Sequence, residues 1–223
     1  MYTFKPSGLK SVLLALGLAV AAGGAAQAAD KSYLLATAST GGTYYPVGVA
    51  ISTLSKVKLQ PKHKVSLSAI NSAGSGENVK LLRDDEAQFA ILQGLYGSYA
   101  WQGTGPIEKD GPQTHLRSIT MLWQNVEQFV VKSEHAKTGT IEDMLALKGS
   151  KMALGKKNSG TIGSNRKLLG NLGVDIDKDF DLVYGGYGPS ASALQTVRSR
   201  ESVLRPVRRP VPSPSCSPRS VMT

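Results

Sequence analysis

The fold is indicated first by residues 33–56, which read YLLATASTGGTYYPVGVAISTLSK. The apolar run 33–38 ends in small polar residues, which is typical of a buried strand. The glycine-rich turn 39–42 follows it. From 43 to 56 apolar residues recur at helical spacing, and this spacing predicts a helix. Strand, polar turn and helix in this order indicate an α/β fold.

The predicted helix 43–56 has one apolar face. The residues that share this face are Val47, Ala50, Ile51 and Leu54. A helix of a globular protein directs its apolar stripe towards the core. The shared apolar face supports the predicted helix at 43–56.

Strand and helix signals alternate along the rest of the chain. The predicted strands are 33–38, 65–70, 87–92, 116–123, 128–132, 151–154 and 181–184. The predicted helices are 43–56, 77–83, 95–101, 140–147, 160–172 and one that starts near 189. This alternation predicts an α/β fold with a largely parallel sheet. The region 123–132 is consistent either with a boundary between two lobes or with a hairpin inside one domain.

Length and charge limit the function classes. The 223 residues suffice for one large domain or two small ones, and the net charge is +10. Much of this charge lies at the two ends, and about +3 remains for residues 30–195. No clustered basic face with interleaved aromatic residues is visible, so the sequence does not indicate nucleic-acid binding.

The N-terminus has the three parts of a signal peptide. Lys5 and Lys10 form a positive region, an apolar run covers 12–22, and small residues follow at 26–28. The apolar run is shorter than the ~20 residues that a membrane-spanning helix needs, which disfavours the alternative of an anchor. We therefore predict a signal peptide at 1–28, cleavage after Ala28 or Ala29, and a periplasmic protein.

Residues 196–223 differ in composition from the rest of the chain. They contain six arginines and five prolines and no glycine, lysine or aromatic residue. The prolines disfavour a helix or a central strand. The helix that starts near 189 is expected to stop at Gln195, and the tail is then either disordered or the product of a frame shift.

Three strand–turn–helix junctions share one chemistry. Small hydroxyl residues and glycines stand at the helix start in 39–44, 71–78 and 155–161. Free backbone N–H groups and the helix dipole favour an anion at such a position. In an open α/β sheet these turns gather at the carboxyl edge of the strands. The three junctions together predict a site for a carboxylate or a small phosphate-like group, although turn and capping residues are also common for structural reasons alone.

Sequence motifs for catalysis and metal binding are missing. The chain has neither a Gly-x-Ser-x-Gly nor a His-Glu-x-x-His motif, and His63, His115 and His135 lie far apart. The single Cys216 cannot form an internal disulfide. The sequence thus predicts no catalytic residue, no metal site, no cofactor and a binding protein that is not an enzyme.

The same three junctions resemble a known family. Residues 36–48 (ATASTGGTYYPVG) are similar to the first motif of the TAXI family of TRAP transporter solute receptors. Residues 71–82 (NSAGSGENVKLL) and 147–161 (LKGSKMALG with SGT) are similar to its second and third motifs. The resemblance covers about 32–195.

The resemblance implies a type II periplasmic-binding-protein fold with two α/β lobes around a cleft. The lobes would be 29–125 and 126–195, and the second would be truncated because members of the family continue well beyond 195. The implied function is delivery of a small organic acid or amino acid, such as a dicarboxylate or a glutamate-like molecule, to an ion-driven TRAP permease. The implied ligand-binding residues are Thr40, Gly42, Thr43, Tyr44, Ser75, Gly76, Asn78, Ser159, Gly160 and Thr161. The alternatives are a periplasmic sensor for a membrane kinase and an enzyme on the same fold.

Overall fold

The computed structural model describes residues 30–204, with only the backbone described in 197–204. The described chain forms two compact units, one that ends at Arg117 and one that begins at Ser118. Each unit combines parallel strands with helices, and the predicted α/β class is confirmed. The predicted signal peptide at 1–28 and the tail beyond 204 lie outside the described residues.

The first unit is a three-stranded parallel sheet with helices. Its elements are β1 (Lys31–Ala36), α1 (Tyr44–Lys58), α2 (Gln60–His63), β2 (Val65–Ile70), α3 (Ser75–Arg83), β3 (Phe89–Ala90), α4 (Gly94–Gln102) and a 3-10 helix (Gly105–Asp110). The strand order is β2-β1-β3. Lys31 pairs with Val65 and Ala36 with both Ile70 and Ala90, so β1 is the central strand. The four helices and strands predicted between 33 and 83, together with their order, agree with this unit to within a few residues.

The face of α1 that is buried differs from its apolar face. Its buried residues are the small ones, Gly48, Ser52 and Ser55, whereas Ala50 is exposed and Leu54 keeps 59% of its surface in solvent. A Cβ atom at Gly48 would overlap the Cγ2 atom of Thr37 at the end of β1. Because glycine permits this close approach, α1 contacts the sheet through its small side chains, while Val47 and Ile51 are half-buried and Val49, Leu54 and Val57 are exposed.

The second unit has a small core of its own. Its elements are a 3-10 helix (Ser133–His135), α5 (Glu142–Leu145), β4 (Lys151–Met152), α6 (Gly160–Gly170), α7 (Ile176–Asp179), β5 (Asp181–Leu182) and α8 (Tyr187–Leu204). The strands β4 and β5 pair in parallel, with Lys151 opposite Asp181. The buried core consists of Met144, Leu154, Ile162, Leu169, Val174, Ile176 and Phe180.

The two strands predicted at 116–123 and 128–132 are wrong, since the structure has no strand there. Ile119 and Met121 are 76% and 81% exposed, whereas Phe129 and Val131 pack against the core of the second unit. A strand requires neighbouring strands that pair with its N–H and C=O groups. An apolar pattern of this kind is therefore compatible with a strand but does not supply the neighbouring strand with which it must pair.

The last helix is longer than expected. The sequence predicted a stop at Gln195, and the backbone of α8 continues to Leu204. Residues 196–204 contain neither proline nor glycine, and Pro206 is the first proline of the tail. Helical hydrogen bonds are local, so a change in composition without proline does not by itself end a helix. Within residues 30–204 no helix combines the length and apolarity needed to cross a bilayer.

Candidate functional site

The first predicted junction joins β1 to α1. Its turn is closed by the amide of Gly42, which donates to the carbonyl of Ser39 (2.9 Å). Thr40 and Thr43 are exposed and Tyr44 is half-buried. The Thr43 side chain makes no capping hydrogen bond to α1. The exposed hydroxyls and the first amides of a 15-residue helix therefore face the same solvent region.

The second junction joins β2 to α3, and its predicted site residues differ in exposure. Gly76 is half-buried. Ser75 is only 1% exposed, and its Oγ atom accepts a hydrogen bond from the amide of Gln93 (3.0 Å). Gly74, with φ of 120°, precedes Ser75 in a conformation that favours glycine. Ser75 thus connects the start of α3 to the chain that leaves β3.

Asn78 lies at the centre of a buried polar network. Its side chain is fully buried, and its Nδ2 group donates to the carbonyls of Thr37 (2.7 Å) and Ile91 (2.9 Å). Its Oδ1 atom accepts from the hydroxyl of Ser72 (2.6 Å). These carbonyls follow β1 and β3, so Asn78 holds α3 against the carboxyl ends of two parallel strands. Ser75 and Asn78 direct their polar atoms to the protein and position the turns around them.

The third junction, in the second unit, joins β4 to α6. Ser159 is 6% exposed and caps α6, because its Oγ atom accepts from the amide of Ile162 (3.1 Å). Gly155 has a φ of 126°, and a Cβ atom there would lie 2.9 Å from the Ser159 Oγ atom. Glycine is therefore needed for the tight turn. The amides of Gly160 and Thr161, at the start of α6, have no hydrogen-bond acceptor within their own helix.

Two tyrosines that the sequence analysis did not select lie beside this junction. The hydroxyls of Thr161 and Tyr187 are 2.7 Å apart. The Nζ atom of Lys157 lies 5.1 Å from the centre of the Tyr184 ring, which is within the range of a cation–π interaction. The amide of Gly185 donates to the carbonyl of Gly155 (3.3 Å). The glycine pair 185–186 before a helix start is the sequence signal that could have identified this second turn.

The structure brings the predicted residues together in two separate groups. In the first unit, the amide of Ser72 donates to the carbonyl of Ala38 (3.3 Å) and joins the first two junctions. In the second unit, the starts of α6 and α8 meet through Thr161 and Tyr187. Both groups lie at the carboxyl edge of parallel strands, where α/β sheets bind ligands.

The charged groups with shifted pKa values lie elsewhere. Hydrogen bonds from the Thr138 and Gly139 amides lower the pKa of Asp143, and Arg166 lowers the pKa of Asp177. These carboxylates bind neighbouring turns or helices, and Asp177 also accepts a hydrogen bond from Tyr184, beside the third junction. In the described part of the chain, no cluster of three or more histidine, cysteine or acidic residues is arranged for a metal ion.

Comparison with known families supports the same general interpretation. A sequence model of the NMT1-like family matches residues 35–200 of the 223. The match includes all three junctions and both units. The chain therefore belongs to the NMT1-like family, which consists of periplasmic solute-binding proteins related to the binding proteins of TRAP and ABC transporters.

Proposed function

We propose that this chain is the solute-binding subunit of a TRAP-type transporter of the TAXI kind, and that it delivers a small carboxylate to an ion-driven permease. Dicarboxylates and glutamate-like amino acids are the ligand class we favour. The observation that carries the proposal is the meeting of two helix starts, α6 and α8, at one sheet edge through the Thr161–Tyr187 contact. Family membership supports the general class, a binding protein for a small solute.

Charge and hydrogen-bond donors favour an anion at this edge. The positive ends of the α6 and α8 dipoles lie together, and unpaired amides at a helix start are donors for carboxylate oxygens. In this proposal the Gly160 and Thr161 amides bind the carboxylate. Lys157, stacked against Tyr184, supplies a positive charge beside them.

The first unit has candidate donors of its own. Thr40, Gly42, Thr43 and Tyr44 surround the start of α1, and Gly76 lies in the neighbouring turn. We assign ligand contact to these residues. Ser75 and Asn78 fix the turns of this edge, and Ser159 fixes the turn of the edge in the second unit, since their side-chain oxygens accept hydrogen bonds from the protein.

Calorimetry with a panel of carboxylates tests the ligand class. The panel contains dicarboxylates, glutamate and a neutral amide of each. We expect binding of a carboxylate and a loss of about 1.5–3 kcal/mol in Thr161→Ala or Lys157→Gln. Thr161→Ala keeps the backbone amide but removes the hydroxyl that joins the two helix starts, and Lys157→Gln removes a positive charge. Lys167→Gln is the matched control, since Lys167 is exposed near the other end of α6. Binding of the neutral amides in preference to the acids would contradict the proposal.

Export and the permease partner need separate measurements. N-terminal sequencing of periplasmic material should give Ala29 or Asp30 as the first residue, whereas an intact Met1 on a membrane-bound product would contradict export and cleavage. To test the partner, cells that express a TRAP permease encoded beside this gene are assayed for solute uptake. Uptake should require this chain. Ligand-dependent kinase signalling without uptake would instead identify a sensor.

A further inference from the structure

The outer side of α1 is apolar. Val49, Leu54 and Val57 expose 41%, 59% and 61% of their surfaces, and Ala50 between them is also exposed. We call these four residues the α1 outer face. Helices of globular proteins direct such a stripe to the core. In α1 the stripe faces solvent because the small residues on the opposite side already contact the sheet.

Two lysines flank this face on either side at the C-terminal end of α1. Successive residues of a helix are separated by about 100°, which places Lys56 at one margin of the exposed arc and Lys58 at the other. The arc between them spans roughly 200° and contains the whole α1 outer face. Both lysines are exposed.

The surroundings are also free of acidic residues in sequence. No aspartate or glutamate occurs between Lys31 and Gly76. The α2 helix adds Lys62, which is exposed as well. The acids on either side of this stretch are Asp30 and Glu77, and Asp30 accepts a hydrogen bond from Gln60 (3.3 Å) beyond the end of α1. Among residues 30–196, Lys56, Lys58 and Lys62 form no ion pair.

We propose that the α1 outer face binds an anionic lipid surface. The apolar side chains would enter the boundary between headgroups and acyl chains, and the lysines would bind lipid phosphates on both sides. This pattern, an apolar face with basic flanks, is typical of helices that lie in the membrane interface. The proposal is independent of the ligand site, which lies at the strand ends.

The charge pattern favours a lipid surface over a groove of a partner protein. The outer face is convex and carries positive charge at both margins, so a flat anionic surface satisfies both lysines at once. Lysine side chains are long enough to keep their ammonium groups at the phosphates while their stems lie along apolar surface. A protein groove would need acidic residues along both of its rims.

Vesicle co-sedimentation of the full 223-residue chain tests the proposal. The vesicles are phosphatidylglycerol mixed with phosphatidylcholine, and phosphatidylcholine alone. We expect binding to the anionic vesicles only, and weaker binding at high salt. Each lysine near an anionic membrane contributes about fivefold in affinity, so Lys56→Gln with Lys58→Gln should lower the partition coefficient by roughly 25-fold. Leu54→Ser with Val57→Ser should lower it at least about tenfold.

Two matched pairs of control substitutions distinguish binding by the α1 outer face from nonspecific attraction between a basic protein and anionic lipid. Lys137→Gln with Lys167→Gln removes the same charge from exposed positions outside α1, and Leu168→Ser with Leu172→Ser removes exposed apolar groups near the C-terminal end of α6. Both controls should change the partition coefficient by less than about twofold. The proposal is overturned if no vesicle binds, or if the controls lose as much as the α1 variants. It is also overturned if the serine pair in α1 binds like the wild type, since adsorption would then be purely electrostatic.

Discussion

The buried network around Asn78 gives the sharpest prediction about stability. In Asn78→Ala the carbonyl of Ile91 loses its 2.9 Å donor. The hydroxyl of Ser72 loses its acceptor but lies 3.1 Å from the carbonyl of Thr37, so these two groups can pair with each other. One buried carbonyl therefore remains unsatisfied, in a space that the side chain of Asn78 had filled.

The two effects add. An unsatisfied buried carbonyl costs about 1–3 kcal/mol, and the small cavity left by the amide costs about 1 kcal/mol more. The expected loss is roughly 2–4 kcal/mol, a large part of the ~5–15 kcal/mol that stabilises a typical domain. We expect the loss in the first unit, because every partner of Asn78 lies there.

Urea unfolding measures this loss, and hydrogen exchange of the β1 and β3 peptides locates it. With a slope of about 2 kcal/mol per M, the midpoint should fall by roughly 1–2 M. Asn71→Ala is the matched control, since Asn71 is an exposed asparagine of the same turn. If Asn78→Ala and Asn71→Ala agree within about 0.5 kcal/mol, the reasoning from buried hydrogen bonds is refuted.

Three further changes test the packing, the capping and the electrostatics. Gly48→Ala should destabilise the protein by about 1–3 kcal/mol in thermal unfolding, because its Cβ atom meets Thr37. Gly97→Ala, with open space around it, should be neutral or stabilising. Equal effects of the two substitutions would contradict the close approach of α1 to the sheet. Ser159→Ala should cost about 0.5–2 kcal/mol through loss of the α6 cap, and unchanged unfolding would exclude that cap. Because the pKa of Asp143 is lowered in the folded protein, its carboxylate stabilises the fold above the ordinary aspartate pKa, and this stabilisation is lost as the pH falls through the lower folded pKa. Asp143→Asn should therefore make the free energy of unfolding less dependent on acid pH. An unchanged acid transition would contradict this role of Asp143.

The sequence by itself determined the order of the elements and the positions of most turns. The predicted starts near 43, 160 and 189 lie within two residues of the observed starts of α1, α6 and α8. These features depend on atoms a few residues apart: apolar spacing, capping hydroxyls and glycines with positive φ. Local sequence contains all of that information, so these predictions required no knowledge of the sheet.

Only the tertiary structure decided which surfaces are buried and which distant residues contact each other. The burial of Gly48 depends on Thr37, and the role of Asn78 depends on the carbonyl of Ile91, which the parallel sheet brings beside α3. The meeting of Thr161 and Tyr187 likewise requires that β4 and β5 pair. Residues 116–123 show the converse, because a strand-like pattern without a neighbouring strand forms no ladder. Pairing partners are distant in sequence, and local periodicity carries no information about which distant segments become neighbours.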